Sequence, residues 1–253
     1  MQRYFIPKAN WSNEFIDIVD DDAHHMNRVM RFKPGDKIIC AHPDGKAAIC
    51  QIISIEKDKV KVEIKEWLDN NSELPVHVAI AQGLTKGNKL ELIFQKGTEL
   101  GAREFCLFEA DRSIVKWDKK KSKQKLNRYR KIIKEASEQC HRNRIPTLEE
   151  PNSLREIVEN STDYDVKLFA YEEEAKIDNT SSSFGAVLSQ MKENEKLLIF
   201  IGPEGGFSIE EAMFLKDNNF IPIRLGKRIL RTETASLYAL ASISYHFEEL
   251  RCQ

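Results

Sequence analysis

Short runs of apolar and β-branched residues, punctuated by turn signals, fill the first seventy residues of the chain. The runs cover residues 37–40, 47–55 and 60–67, and the turn signals are Pro34-Gly35, Asp44-Gly45 and Lys57-Asp58. Short strands divided by such turns are typical of small barrels. A polar cluster at residues 69–72 follows, and Pro75 precedes a new apolar run, so we predict a β-barrel domain at residues 1–72.

From residue 73 onward, apolar runs of strand length alternate with segments of helical periodicity. Strands are predicted at residues 76–81, 104–108, 166–170, 197–201 and 221–225, and helices at 88–100, 122–142, 184–192, 209–218 and 233–250. This alternation indicates a parallel sheet covered by helices, which assigns residues 73–253 to an α/β domain. The last helix carries an apolar stripe that favours either core packing or a dimer interface: Leu237, Leu240, Ala241, Ser244 and Phe247.

Composition is that of a globular protein. Of the 253 residues, 41% are hydrophobic and 31% are charged, which supplies enough apolar material for a substantial core. No run approaches the roughly 18 uninterrupted apolar residues of a membrane span, and residues 1–10 hold no apolar signal-peptide core. The cysteines are scattered without close pairing, as is typical of reduced packing residues: Cys40, Cys50, Cys106, Cys140 and Cys252. We therefore expect a cytoplasmic protein with no membrane partner.

Charge is unevenly distributed, although the formal net charge is only −1. Thirteen Lys or Arg residues and three acidic residues lie between Arg112 and Arg144, so this segment carries about +10 and the remainder about −11. Such a concentration fits a surface for a polyanion such as nucleic acid. A solvated helix face explains it about equally well.

Two glycine-containing turns carry the chemistry of the α/β domain. The first, IGPEGGFS at residues 201–208, follows an apolar strand, and Ser208 with Glu211 predicts a capping box. The second, LGKRILRTETA at residues 225–235, also joins a strand to a helix and brings Arg228 and Arg231 beside a helix N-terminus. Open α/β sheets bind ligands at this end of their strands, so we predict a site for a polar or charged ligand. Neither turn matches a Walker loop or a dinucleotide fingerprint.

These two segments, in this order, resemble the RsmE family of 16S ribosomal RNA uridine-N3 methyltransferases. Five further segments resemble family motifs in family order, so that the resemblance covers nearly the whole chain: RYFIP at 3–7, HHMNRVMR at 24–31, QKGTELG at 95–101, DRS at 111–113 and EASEQCHRNRIP at 135–146. Gly97 stands where the family pattern leads us to expect a larger residue. The resemblance implies a PUA-like N-terminal barrel and a SPOUT domain, which forms a homodimer and whose C-terminal backbone is tied in a trefoil knot.

The resemblance also implies S-adenosylmethionine as the cofactor and 16S ribosomal RNA of the small ribosomal subunit as the partner. Main-chain groups in the knot would recognise adenine, and apolar side chains would enclose it. The cofactor residues implied in this way are Leu168, Phe169, Ala170, Gly202, Pro203, Glu204, Gly205, Gly206, Leu225, Gly226, Ile229, Leu230, Thr232 and Ala235.

Methylation at uridine N3 must remove a proton and stabilise negative charge on the carbonyl oxygens. Arg231 is the candidate catalytic residue for the second task, because a preorganised cation in a desolvated site favours developing charge. Glu204, Glu233 and Glu138 are candidate proton acceptors, and the sequence does not choose among them.

Basic residues outside the turns are candidates for binding RNA phosphate. His24 and His25 do not by themselves indicate a metal, and we expect none. Arg28 and Arg31, about one turn apart, better fit phosphate contacts. The full set of candidates is Arg3, Arg28, Arg31, Arg112, Lys119, Lys120, Lys121, Arg128, Arg130 and Arg142.

Two other functions fit parts of the sequence. A noncatalytic RNA-binding or ribosome-assembly factor would explain the barrel and the basic segment, but it would not need the two turns. A SPOUT methyltransferase with another RNA target would explain the turns equally well. Binding of S-adenosylmethionine separates the first alternative from an enzyme.

Overall fold

The computed structural model describes residues 1–69, 71–113, 115, 117, 119–172 and 183–251, with residues 119–121 described by their backbone alone. The chain divides into two compact units. The first comprises Met1–Glu73 and Lys134–Ile145, and the second comprises Leu74–Ile133 and Pro146–Gln253. This division differs from the single predicted boundary at residues 72 and 73, because Lys134–Ile145 belongs to the first unit.

Five strands form the sheet of the first unit: β1 (Arg3–Phe5), β2 (Phe15–Val19), β3 (Lys37–Ala41), β4 (Ala47–Ile55) and β5 (Lys59–Leu68). Their order is β1-β3-β4-β5-β2, with β1 parallel to β3 and the other neighbours antiparallel. The three predicted strands are confirmed as β3, β4 and β5. Sequence analysis missed β1, which is too short for a periodic pattern, and β2, although Ile16 and Ile18 alternate there as buried residues.

A short helix follows β2 and packs against the sheet of the first unit. Helix α1 (Asp20–His24) continues into a π-helical turn at His25–Val29. Its Ala23 and the following Met26 are buried among the apolar side chains of the sheet. The helix and the turn therefore complete the main core of the first unit.

In the part of the second unit that the structure describes, seven parallel strands form one sheet: β6 (His77–Gly83), β7 (Glu104–Glu109), β8 (Thr147–Leu148), β9 (Asn152–Ser153), β10 (Val166–Ala170), β11 (Lys196–Ile201) and β12 (Ile221–Ile223). Their order is β12-β10-β11-β6-β7-β8, and β9 also pairs with β7. Central strand β11 is buried on both faces, with Leu197 and Ile199 in one core and Leu198 and Phe200 in the other. Burial on both faces explains its continuous apolar run and confirms the predicted parallel sheet.

Among the described residues after β6, six α-helices occur: α2 (Lys89–Glu99), α3 (Lys119–Gln139), α4 (Leu154–Glu159), α5 (Phe184–Gln190), α6 (Ile209–Asp217) and α7 (Thr232–Ser244), with a π-helical turn at Tyr245–Leu250 after α7. Helix α3 ends at Gln139, before the predicted limit of residue 142, because His141 adopts a positive φ of 59°. Helix α4 was not predicted, although Ser153 and Glu156 form a capping box at its start.

Helix α7 contributes most of its apolar stripe to the core. Leu240 and Phe247 are buried there, Leu237 and Ser244 are half-buried, and Ala241 is exposed. Leu240 and Phe247 therefore pack in the core and are not available to a dimer interface. Within the described ranges, no helix is long and apolar enough to cross a membrane. The trefoil knot stays a prediction.

Gly97 in α2 is explained by packing. An added Cβ would lie 2.9 Å from the ring of Phe105 on β7 and 3.3 Å from Leu240 on α7. The close approach between α2, β7 and α7 therefore requires glycine at this position, despite its lower helix propensity.

Candidate functional site

Two loops at one edge of the parallel sheet enclose a cavity of about 800 Å³ in the second unit. The first loop, residues 202–208, joins β11 to α6, and the second, residues 224–231, joins β12 to α7. β11 and β12 flank β10, and each loop begins at the carboxyl end of its strand. Open parallel sheets bind ligands at the carboxyl ends of their strands. The volume lies within the range of about 300–1,000 Å³ that is usual for small-molecule sites.

Most of the predicted cofactor residues line this cavity: Ala170, Gly202, Pro203, Glu204, Gly206, Leu225, Gly226, Ile229, Leu230, Thr232 and Ala235. Leu168 and Phe169 instead lie buried in the two cores on either side of β10, and Gly205 packs against Arg112. Tyr171, Ile201 and Ile223 also line the cavity, and sequence analysis did not single them out.

Close backbone contacts shape the first loop. The predicted capping box is confirmed, since the Ser208 hydroxyl accepts from the Glu211 N–H and the Glu211 carboxylate accepts from the Ser208 N–H. An added Cβ at Gly202 would lie 3.2 Å from the backbone of Gly206, and one at Gly83 would lie 2.6 Å from Pro203 Cδ. Gly83 therefore lets this loop lie directly against the end of β6.

A buried polar chain ties the second loop to the first. The hydroxyl of Thr232 donates to the Gly202 carbonyl oxygen at 2.7 Å and accepts from Gln82 Nε2 at 2.8 Å. Ser236 donates to Gln82 Oε1 at 2.6 Å. Because Gln82, Thr232 and Ser236 are buried and mutually bonded, they fix the start of α7 relative to the first loop.

Charged side chains surround the mouth of the cavity. Lys89 Nζ lies 2.9 Å from Glu204 Oε1 and 3.7 Å from Glu233 Oε2. The hydrogen bond with Glu204 outweighs burial and raises the pKa of Lys89. Burial alone would raise the pKa of Glu204, but the bonds from Lys89 and from the Lys86 N–H lower it overall. Glu204 is therefore an ionised, paired carboxylate. Lys89 is a further cation of the cavity wall, and sequence analysis did not single it out.

Arg228 and Arg231 belong to the exposed part of the cavity wall. Arg231 occupies the N-cap position of α7, and its side chain makes no capping hydrogen bond. A cation at the cavity wall can stabilise negative charge on a bound molecule.

The candidate proton acceptors lie in different surroundings. Glu204 and Glu233 both lie beside Lys89, and Glu204 also lines the cavity. Glu138 belongs to the first unit, where its carboxylate lies 3.6 Å from Lys134 Nζ. Burial raises the pKa of Glu138 to about 7, although Lys134 opposes this shift.

The prediction that Arg3 and Arg142 contact RNA is wrong, because both side chains are buried. Arg3 has 0% of its surface exposed and Arg142 has 2%. Arg3 Nη1 donates to the Arg142 carbonyl oxygen at 2.7 Å, and Arg142 binds the Glu73 carboxylate through Nε and Nη2. These guanidinium groups therefore hold the first unit together and do not offer charge to a phosphate. Buried arginine cannot be distinguished from surface arginine by its spacing alone.

The remaining basic candidates are either exposed residues or residues whose side chains the structure does not describe. Arg28 and Arg31 are exposed in the first unit. In the second unit, Arg112 lines the cavity, and exposed Arg128 and Arg130 bind Glu91 and the Leu148 carbonyl oxygen, respectively. The side chains of three candidates lie outside the described ones: Lys119, Lys120 and Lys121.

The adjacent histidines have a structural setting in the first unit. His25 Nδ1 lies 3.0 Å from the Tyr4 hydroxyl, and His24 is exposed at the end of α1. Among the residues that the structure describes, no group of three or more His, Cys, Asp or Glu side chains could hold a metal ion.

Comparison with known proteins identifies relatives over nearly the whole chain. The model of an RNA methyltransferase domain matches residues 72–244, and that of an RNA methyltransferase PUA domain matches residues 18–65. Ribosomal RNA small subunit methyltransferase E of Bacillus subtilis is 46% identical over 254 residues, which covers 99% of both chains. The protein of the same name from Buchnera aphidicola is 30% identical and covers 94% of this chain and 91% of its own length.

A solved structure of a relative has the same fold and was determined with its ligand bound. Ribosomal RNA small subunit methyltransferase E from Neisseria gonorrhoeae, solved bound to S-adenosyl methionine, is 28% identical to this chain. It superposes with a TM-score of 0.83 and covers 96% of this chain and 97% of its own. The predicted architecture of a PUA-like β domain joined to a SPOUT methyltransferase domain is thereby confirmed, apart from the knot.

Proposed function

The chain belongs to the ribosomal RNA small subunit methyltransferase E family, and on that premise we propose that it methylates N3 of a uridine in 16S ribosomal RNA. S-adenosylmethionine is the proposed methyl donor, and the small ribosomal subunit in the cytoplasm is the proposed partner. The single observation that carries the proposal is the cavity between the two loops, whose wall includes most of the residues assigned to the cofactor.

The cavity wall fits S-adenosylmethionine in its chemistry. Ile201, Ile223 and Leu225 supply apolar surface for an adenine ring. Lys89 and Glu204 at the mouth supply charges of both signs for the amino and carboxylate groups of the methionine part. When bound, S-adenosylmethionine supplies an electrophilic methyl group, and the residues of this chain bind and orient it.

The chain itself must stabilise the charge that develops on uracil when N3 loses its proton. We assign this task to Arg231, a cation on the cavity wall without a capping bond. Glu204 has a lowered pKa, which makes it a weak proton acceptor, so we assign it to holding Lys89. Removing one preorganised donor of this kind slows comparable reactions about 10²–10³-fold.

Exposed arginines in both units are the proposed phosphate contacts. Arg28 and Arg31 would serve the PUA-like domain, and Arg112, Arg128 and Arg130 would serve the methyltransferase domain. Replacing any of them with Gln should weaken RNA binding for all sequences. The slope of its salt dependence should fall by about one unit for each phosphate that is no longer neutralised.

A homodimer, formed through the methyltransferase domain, is the proposed oligomeric state of the protein. Support comes from exposed side chains along α7 and the π-helical turn after it. Tyr238 and Ala241 are exposed on α7, the former by 42%, and Tyr245 at the start of the turn is 58% exposed. The double variant Tyr238→Glu/Tyr245→Glu places two charges on this surface. It should be a monomer by light scattering and should be inactive in a methylation assay. A wild-type protein that is monomeric and active at assay concentrations would contradict this proposal.

Calorimetry with S-adenosylmethionine separates the enzyme from a noncatalytic RNA-binding factor. The wild-type protein should bind it, and Gly202→Leu and Gly226→Leu should not, because Gly202 contacts the Gly206 backbone and Gly226 has a φ of 87°. Gly185→Ala, in open space on α5, is the matched control and should bind normally. Unchanged affinity in both loop variants would refute the assigned site.

A further inference from the structure

A second cavity, of about 720 Å³, lies in the first unit. It is bounded by the 3₁₀ turn Lys8–Asn10 and the residues just after it, by the β3–β4 turn, and by the end of β5. Its lining includes two tryptophans, a histidine, two lysines and two aspartates: Trp11, Trp67, His42, Lys8, Lys46, Asp44 and Asp69. Trp11 and Trp67 lie outside residues 18–65, the part of the chain that the PUA family model matches.

Two tryptophans form a prebuilt aromatic stack in this cavity. Their ring centroids are 5.7 Å apart and their planes differ by 19°. Two contacts hold Trp11 in place. Its Nε1 donates to the Ile6 carbonyl oxygen at 3.1 Å, and the His42 ring packs edge-on against it with the ring centroids 5.0 Å apart. Trp67 is 50% exposed. A rigid, half-exposed aromatic face of this kind is suited to accept another flat ring.

Charged groups around the stack match a nucleotide. Lys8 and Lys46 are exposed at the rim of the cavity and can meet the phosphates on either side of a base. Asp44 is held by the Lys46 N–H at 3.0 Å and by His42 at 2.8 Å, and with Asp69 it offers carboxylate oxygens to the N–H groups on a base edge. Proteins that bind single-stranded RNA combine stacking aromatics, cations and such edge contacts in the same way.

We propose that this cavity, the tryptophan cleft, binds an unpaired base of single-stranded RNA by stacking it on Trp67. The proposal rests on the proposed function for the presence of RNA, and it adds a base-binding site in the first unit. Paired bases are stacked on their neighbours and are not free to enter the cleft. The cleft therefore selects an unpaired segment of the substrate.

The test compares the wild-type protein with Trp67→Ala, Trp67→Phe and Ile53→Ala. Ile53 is 43% exposed on β4 and does not line the cleft, so it is a matched control for loss of exposed apolar surface. The probes are a short single-stranded oligoribonucleotide, the same sequence as a duplex, and the same backbone with abasic positions. Trp67→Ala should bind the single strand about 10-fold more weakly, and the other two variants should bind nearly as the wild type does.

Affinity for the duplex and for the abasic strand should be the same in all four proteins, because neither offers a base to stack. Equal single-strand affinity in Trp67→Ala and wild type would overturn the proposal. An equally large decrease in affinity for the abasic strand would also overturn it, since the defect would then concern the backbone. Binding of a proline-rich peptide, competed by neither single-stranded probe, would assign the cleft to a protein partner instead.

A fluorescence experiment does not depend on the fold of Trp67→Ala. The chain has three tryptophans, so a Trp117→Phe background leaves only Trp11 and Trp67 as reporters. Single-stranded RNA should quench this emission and the abasic strand should not, and equal responses would overturn the proposal. Calorimetry with S-adenosylmethionine and a methylation assay on the wild type run alongside, because their failure would concern the proposed function and not the cleft.

Discussion

The hydroxyl group of Thr232 donates a 2.7 Å hydrogen bond to the carbonyl oxygen of Gly202, thirty residues earlier in the chain. Because Gln82 Nε2 donates a second hydrogen bond to this hydroxyl, the protein's own contacts hold the two loops that enclose the cavity in one arrangement. Such preorganisation reduces the entropy cost of binding.

Thr232→Val should weaken binding of S-adenosylmethionine and lower stability. The substitution keeps the shape of the side chain but leaves the Gly202 carbonyl and the Gln82 amide without this partner, at a cost of about 1–3 kcal/mol. Calorimetry and urea unfolding measure the two effects. Thr234→Val, at an exposed position of the same helix, should change neither. Wild-type affinity in Thr232→Val would show that the loops are held by other contacts.

Arg231→Ala should slow methyl transfer without removing either ligand. We expect affinities for S-adenosylmethionine and RNA close to those of the wild type, and a single-turnover rate about 10²–10³-fold lower. The reason is that a cation aimed at uracil interacts strongly only as negative charge develops there. Lys227→Ala, an exposed neighbour outside the cavity wall, should react at the wild-type rate. Full rate at saturating RNA would make Arg231 a binding residue.

Gly97→Ala should destabilise the second unit although alanine is the better helix former. The added Cβ would lie 2.9 Å from the Phe105 ring, and overpacking of this kind costs about 1–3 kcal/mol. Gly185→Ala in α5 meets nothing within 4 Å and should stabilise by up to about 1 kcal/mol. Urea denaturation of both variants measures the contrast, and equal signs would contradict the packing explanation.

Glu138 should give the first unit a pH-dependent stability. Burial raises its folded-state pKa from 4.5 to about 7, so the folded protein keeps a proton that the unfolded chain has already released in this interval. The contribution is complete below about pH 4.5 and declines as pH rises to about 7, by at most about 1.4 kcal/mol per pH unit. Urea unfolding across this range should show wild type losing stability relative to Glu138→Gln. Glu135→Gln, exposed on the same helix, should follow the wild type, and parallel curves for wild type and Glu138→Gln would contradict the assignment.

Local patterns in the sequence predicted those features that depend on neighbouring residues. The apolar run of β11 and the capping box of Ser208 were read directly, because strand burial and helix capping act over a few positions. The contact between Gln82 and Thr232 spans 150 residues, and no local pattern carries it. Arg3 was misjudged for the same reason, since its burial depends on the segment around Arg142.

The central claim is methylation of a uridine at N3, and nucleoside analysis tests it most directly. Purified protein would be incubated with methyl-labelled S-adenosylmethionine and small ribosomal subunits from cells that lack this gene, and the 16S ribosomal RNA would then be digested to nucleosides. Chromatography with mass spectrometry should find the label in 3-methyluridine and in no other nucleoside. Label in a different nucleoside, or no label with protein that binds S-adenosylmethionine, would contradict the account.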